Sequence, residues 1–343
     1  MKTIAMCALL AALAFGLLPG NRDEAAAPDE GLVLLVETQQ DAQAPQKASS
    51  ARQNQSEKAA VQTAPDAQTV RLLDGGAVTA LSMEDYLTGV LLSEMPADFE
   101  PEARKAQAVA ARTFTCRKLL QPKHENADVC AEASCCQAWT SREQLRQKYG
   151  ASFDAVWSAA REAVRQTAGE VLTYDGQLID AVYFSCSGGA TEAAVAVWGT
   201  DVPYLRAVES PGEQDAAKYE SRVCVTAETF AETLRALDAS AQLSGDPSGW
   251  VQSVTRTPGG GVDTLTAGDR SFSGVQLRKA FGLNSTRFTL LYEDGAFSFD
   301  VLGYGHRVGM SQYGADAIAR LGFDYRTILR FYYRGAELTT LDF

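Results

Sequence analysis

One glutamate in this chain stands where an acid could work. Glu94 closes an apolar helical run, Tyr86, Leu87, Val90 and Leu91, and is followed by Met95-Pro96. Proline bars the residue before it from ordinary helical geometry, so the helix must give way beside Glu94. A rigid element ends there and a cleft can begin. Apolar neighbours would raise the pKa of such a carboxyl into the range for giving and taking protons, and Leu91, Met95, Pro96 and Phe99 are at hand. A solvated carboxylate at a helix end is the plain alternative. No second acid stands out beside it, since Asp98, Glu100 and Glu102 read as helix-start residues.

A second group of reactive side chains follows in Gln121 to Trp139. His124, Cys130 and Cys136 are spaced six apart, with Cys135 adjacent to the last, among Asn, Asp and Ser that predict a loop. A loop carrying imidazole and thiolate donors can wrap a tetrahedral zinc ion. The spacing matches no common zinc finger, and a disulfide from Cys130 to Cys135 or Cys136 is equally compatible. Further on, Ser185-Cys186-Ser187-Gly188-Gly189 invites a nucleophile. That reading fails, because no G-x-S-x-G elbow is present and His306 alone is left to act as base. A structural turn and a hydrogen-bonding surface both remain open. His306 itself is either a buried, hydrogen-bonded histidine or a groove residue near Glu94.

The elements that must position these residues are legible in outline. Asp74-Gly75-Gly76 predicts a hairpin, and Ser82 with Asp85 caps the helix leading to Glu94. A second helix runs from Pro101 to Leu120, with Lys105 and Arg112 seven apart on one face and Gln107 between them. Helix returns from Ser141 to Ala168, broken at Gly150, before two strands around Asp175-Gly176. Residues 210–248 are polar around one amphipathic helix, Ala227 to Leu237, and predict a peripheral excursion. Short strands follow from Trp250, then a hairpin at Asp294-Gly295, a helix from Met310 to Arg320 and a closing helix from Tyr325 to Tyr333. The pattern predicts an α+β fold, with helices mixed among short antiparallel strands.

The chain has 343 residues, enough for one large domain or two smaller ones. A net charge of −12 with no basic stripe excludes nucleic acid as the expected partner. Residues 1–20 open Met1-Lys2 and run apolar from Ile4 to Leu18, which fits an export signal or a single membrane anchor. Residues 21–68, rich in Ala, Gln, Asp, Ser and Pro, predict a disordered linker, with one short apolar run at Gly31 to Glu37. The globular part is expected over 69–343. Cys7 lies in the apolar segment without a lipoprotein pattern, and Cys186 with Cys224 leave a possible pair open.

The tetrapeptide Ser93-Glu94-Met95-Pro96, the run from Lys105 to Phe114 (KAQAVAARTF) and the late Gly303 to Ala315 (GYGHRVGMSQYGA) together resemble the stage II sporulation protein D (SpoIID) family. The resemblance runs from about Val70 to the C-terminus, and Arg278, Gly282, Leu283 and Phe288 add to it. It implies a membrane-anchored or secreted lytic transglycosylase that cleaves peptidoglycan glycan strands stripped of stem peptides, in sporulation or engulfment. Glu94 would be the catalytic acid and base, leaving 1,6-anhydro-N-acetylmuramic acid ends. The resemblance further implies a glycan groove contacted by Lys105, Gln107, Arg112, Ser185, Ser187, Gly188, His306, Ser311 and Gln312, and one structural zinc on His124, Cys130 and Cys136. Partners implied are a cell-wall amidase and other membrane-bound sporulation proteins. A non-catalytic wall-binding scaffold or amidase activator is the alternative. Arg307 departs from the pattern, which has glycine after the histidine.

Overall fold

The computed structural model describes residues 69–341. The apolar segment 1–20 and the linker 21–68 lie outside the described residues. Among those described, no helix is long and apolar enough to cross a membrane. The architecture is α+β, as expected.

Strands β1 (Thr69–Asp74) and β2 (Ala77–Ser82) form the first hairpin, with Asp74 opposite Ala77. Gly75 and Gly76 both take positive φ, which this two-residue turn requires. The Ser82 hydroxyl accepts the Asp85 N–H and starts α1 (Met83–Glu94). Pro101 opens α2 (Pro101–Leu120), the central helix. Its Ala103, Ala106, Ala108, Ala110 and Ala111 are all buried, so neighbours can pack closely on several sides. Strand β3 (Val129–Cys130) pairs in parallel with β1. The pair α3 (Arg142–Tyr149) and α4 (Phe153–Gln166) follows, and then β4 (Glu170–Tyr174) turns to β5 (Gln177–Leu178) at Asp175-Gly176. The short elements β6 (Tyr183–Phe184), β7 (Gly189–Ala190), α5 (Ala194–Trp198) and β8 (Glu209–Ser210) complete the first half.

A second apolar cluster is built by β9 (Glu220–Thr226), α6 (Ala227–Leu237), β10 (Val251–Arg256), β11 (Val262–Ala267), β12 (Arg270–Ser273), α7 (Gly274–Ala280), β13 (Phe288–Glu293) and β14 (Ala296–Leu302). Residues 210–248 are therefore no peripheral excursion. β9 pairs along its length with β14, and Phe230 of α6 is fully buried, stacked on Phe297. Its polar appearance arises because one face of β9 and α6 stays in water while the other is core.

The chain then returns to the first core. β15 (Met310–Ser311) pairs in parallel with β6, α8 (Gln312–Arg320) and α9 (Tyr325–Tyr332) pack on α2, and β16 (Glu337–Thr340) pairs with β4. The β15–β6 pairing brings the late Gly303 to Ala315 motif beside Ser185.

Between the two cores lies one fully buried arginine. Arg307 donates to the carbonyls of Ser187 (2.8 Å), Ala190 (2.6 Å) and Gly259 (2.6 Å) and pairs with Glu192 at 3.1 Å. Glu192 in turn accepts from Thr257 and from the Gly261 amide. The residue at the point of departure from the resemblance is thus a clasp between the lobes. It sits at φ +66°, a strained conformation for a side-chain-bearing residue that its four contacts hold in place.

Candidate active site

Helix α1 ends as its sequence requires. Met95, before the proline, is extended (φ −116°, ψ 147°), and its N–H still caps Leu91 at 3.0 Å. Glu94 is therefore the last helical residue, half-buried, at the edge of a cleft of about 470 Å³. Its Oε1 accepts the Ala138 N–H at 2.7 Å. Burial raises the Glu94 pKa above the ordinary carboxylate value, opposed by the Ala138 amide and by Gln312 across the cleft. The Gln312 amide nitrogen is buried facing that carboxyl and makes no hydrogen bond of normal geometry among the described residues. Among the described residues, no other carboxylate lines the cleft.

The opposite wall is β6 with the loop after β14. Tyr183, Phe184, Ser185, Tyr304 and His306 line it. Tyr183 donates to Gln137 at 2.7 Å, and Gln137 donates on to Tyr86 (3.2 Å) and Thr115 (3.0 Å). This chain of bonds ties the wall, the Ala138 loop and both helices into one frame. His306 accepts the Val308 N–H on Nδ1 at 3.1 Å and faces the Tyr183 carbonyl with its other nitrogen. Burial, helped by the Arg278 charge, lowers its pKa to about 4. Backbone groups engage both nitrogens, so the ring is held neutral as part of the cleft wall.

Of the expected glycan contacts, the structure brings Ser185, His306 and Gln312 together with Glu94. The others serve elsewhere. Arg112 is buried and donates to Thr167 (3.3 Å) and to the carbonyls of Val164 (2.9 Å) and Glu170 (3.2 Å), closing the end of α4 against α2. Lys105 pairs with Glu102 at 2.6 Å and lies over the Tyr325 ring. Gln107 is fully buried behind Tyr183. Ser187 is buried, donating to Glu213 at 2.9 Å. Gly188 sits at φ +71° where a Cβ would meet the Leu302 backbone at 2.7 Å. Ser311 caps α8, accepting the Gly314 N–H at 3.2 Å. The resemblance implied these six as groove contacts, and none of them lines the cleft. Tyr183, Gln137 and Tyr304 went unnoticed, although alternation along Val182 to Ser185 already marks one face of a strand.

The predicted loop of His124, Cys130, Cys135 and Cys136 gathers its ligand atoms within 4.8 Å of one another. His124 Nε2 lies 3.6 Å from Cys136 Sγ and 3.7 Å from Cys135 Sγ. A tetrahedral zinc with bonds of about 2.0–2.3 Å sets its ligands roughly 3.3–3.8 Å apart, so these residues fit the ion, with Cys135 supplying a fourth donor. All six described cysteines are free thiols. Cys136 also lines the cleft, and the two residues after it are Gln137 and Ala138, the ones that hold Tyr183 and Glu94.

Comparison with known proteins places these features in a lineage. A family model described as stage II sporulation protein matches residues 74–174. Stage II sporulation protein D of Bacillus subtilis (strain 168) is 34% identical over 307 residues, 84% of this chain and 87% of that protein. The protein of the same name from Bacillus amyloliquefaciens is 35% identical over 269 residues, 77% of this chain and 76% of that one. An amidase enhancer of Bacillus subtilis (strain 168) is 31% identical over 308 residues, 74% of this chain and 40% of the enhancer.

Proposed function

Because the chain belongs to the stage II sporulation protein D family, we propose that it is a lytic transglycosylase cutting the glycan strands of peptidoglycan during sporulation, outside the cytoplasm. The observation that carries this reading is a cleft in which Glu94 is the one carboxyl among the described residues, with its pKa raised. Hydrolytic glycosidases of the usual kind need two carboxylates. One is enough when the substrate supplies its own nucleophile. Glu94, protonated, gives its proton to the bridging oxygen as the bond from the anomeric carbon of N-acetylmuramic acid to that oxygen breaks. The resulting carboxylate then takes the proton from the C6 hydroxyl of the same sugar as that oxygen bonds to the anomeric carbon. The products are a free hydroxyl on the departing strand and a 1,6-anhydro end, with no water consumed and Glu94 restored.

The Ala138 amide holds the carboxyl in register, the Gln312 amide faces it across the cleft, and the Ser185 hydroxyl on the cleft wall offers hydrogen bonds to sugar. A zinc ion on His124, Cys130, Cys135 and Cys136 would supply a structural cross-link next to the Glu94 loop.

Glu94→Gln keeps the shape and the hydrogen bond while removing the transferable proton. It is expected to lower release of anhydro-ended fragments from peptide-free strands about 10²- to 10⁴-fold, read by mass spectrometry. Normal release would remove Glu94 from the mechanism. The similarity to an amidase enhancer favours a second role, binding and stimulating a wall amidase. An amidase assay with the Glu94→Gln protein separates the two, since stimulation does not need the acid.

A further inference from the structure

The cleft beside Glu94 encloses about 470 Å³, whereas a glycan strand is a polymer, so most of a bound strand must run out over the surface. Among the described residues only two Phe, Tyr or Trp side chains are exposed, Trp198 and Tyr304, and both adjoin this cleft. Tyr304 lines it, and the Trp198 ring lies 5.4 Å from that of His306, which lines it too. His306 in turn meets Phe184, another lining residue, at 5.6 Å. These three rings make a ledge that starts in the cleft wall at Phe184 and ends in water at Trp198, which is 47% exposed. The indole is held firmly in that place. Ala194 and Val197 anchor α5 in the first core, and Gly199 ends the helix at φ +75°, its N–H bonded to the Val195 carbonyl at 3.0 Å. A single exposed apolar residue is ordinary. An indole fixed at the outlet of a cleft for a polymer, with nearly half its surface open, has a use there.

We infer that Trp198 is a stacking platform for a sugar ring of the strand just outside the cleft, and so sets how long a strand must be to bind well. One face of a pyranose presents C–H groups, apolar and slightly positive. The face of an indole is apolar and rich in negative charge density, so the two attract as water leaves between them. The hydroxyls and the acetamido group stand at the edge of the sugar and stay in water, so no polar group is buried without a partner. A strand long enough to reach the end of the ledge gains this contact, and a shorter one does not. The inference rests on the glycan reading above and adds to it a residue that recognises the polymer without touching the bond that breaks.

The test measures binding by calorimetry, so that turnover plays no part. Peptide-free glycan strands, fractionated by length, are titrated into Glu94→Gln protein and into the same protein carrying Trp198→Ala or Trp198→Phe. Affinity is expected to climb about tenfold at the length that first reaches Trp198, the size of one aromatic contact. Trp198→Ala should remove that step while shorter strands bind as before, and Trp198→Phe should keep part of it. No step with Trp198 in place, or a step of the same size in folded Trp198→Ala protein, would overturn the inference. So would an equal loss at every length in Trp198→Ala, since that is the mark of a residue that only props His306. Absence of cleavage by the unmutated protein, with the step intact, would sink the transglycosylase and leave the platform standing. Failure to bind strands of any length would overturn both.

Discussion

Glu94 and His306 are two titratable groups of one cleft, and burial moves their pKa values in opposite directions. The carboxyl is pushed above its ordinary 4.5 because desolvation disfavours its anion. The imidazole is pushed from 6.5 to about 4 because desolvation disfavours its cation. The consequences for stability follow by linkage. A raised acid is destabilising once ionised, so its contribution is lost as pH rises from 4.5 through the folded value. Glu94→Gln removes that loss, and the variant is expected to match or exceed the unmutated protein in thermal stability at pH 7, with the gap closing below pH 4.5. A depressed histidine behaves the other way. The unfolded imidazole protonates first, so stability falls between pH 6.5 and about 4, and His306→Gln is expected to flatten that part of the acid limb in urea titrations. Persistence of the full slope in the variant would show that other groups cause it. At this scale the sequence was most readable where covalent geometry decides. Proline fixes the end of α1 and so the place of Glu94. It was least readable for Arg112 and Ser187, since spacing gives the face of an element but not whether that face meets water or another element.

Among the elements, the segment from Ala131 to Thr140 matters most to the acid. It begins at the thiol and imidazole cluster, delivers Gln137 and Ala138, and then seats Trp139 against α1 where Gly89 leaves room. A methyl on Gly89 would overlap the Trp139 indole. Gly89→Ala, though a better helix residue by about 1 kcal/mol, is expected to cost a net ~1–2 kcal/mol through that overlap. It is also expected to shift tryptophan emission and to lower activity by drawing the Ala138 amide from Glu94. An unchanged emission spectrum would argue against the contact. At the other end of the segment, the purified protein is expected to hold about one zinc per chain, and chelation to lower its melting temperature and its activity together. Metal analysis finding none in protein purified without chelators would remove the ion. The residues of this cluster were visible in the sequence from donor chemistry. Its link to the acid was not, because the 2.7 Å contact joins positions 44 residues apart.

For the molecule as a whole, the informative contrast is between two apolar cores and the buried polar clasp between them. Helix positions, hairpins and capping residues were read correctly because they are local. The pairing of β9 with β14 was not, since Arg222 and Asp300 face each other from 78 residues apart and no short-range pattern records it. Arg307 belongs to the same class. Its guanidinium and Glu192 are both inaccessible to water, so Arg307→Ala leaves a buried carboxylate without its counter-charge and takes a donor from three carbonyls. The expected cost is about 3–5 kcal/mol, measured by urea unfolding. A loss below about 1 kcal/mol would show that the lobes hold without it.

The same clasp bears on the order in which the chain assembles. Its carbonyls and its carboxylate come from residues 187–192 and 259, and its guanidinium from 307, so it can close only after every one of those stretches has already settled. A contact gathered from stretches so far apart is expected to be absent from the rate-limiting barrier. Truncating it is therefore expected to hasten the native state's escape to the unfolded chain while leaving the speed of refolding almost untouched.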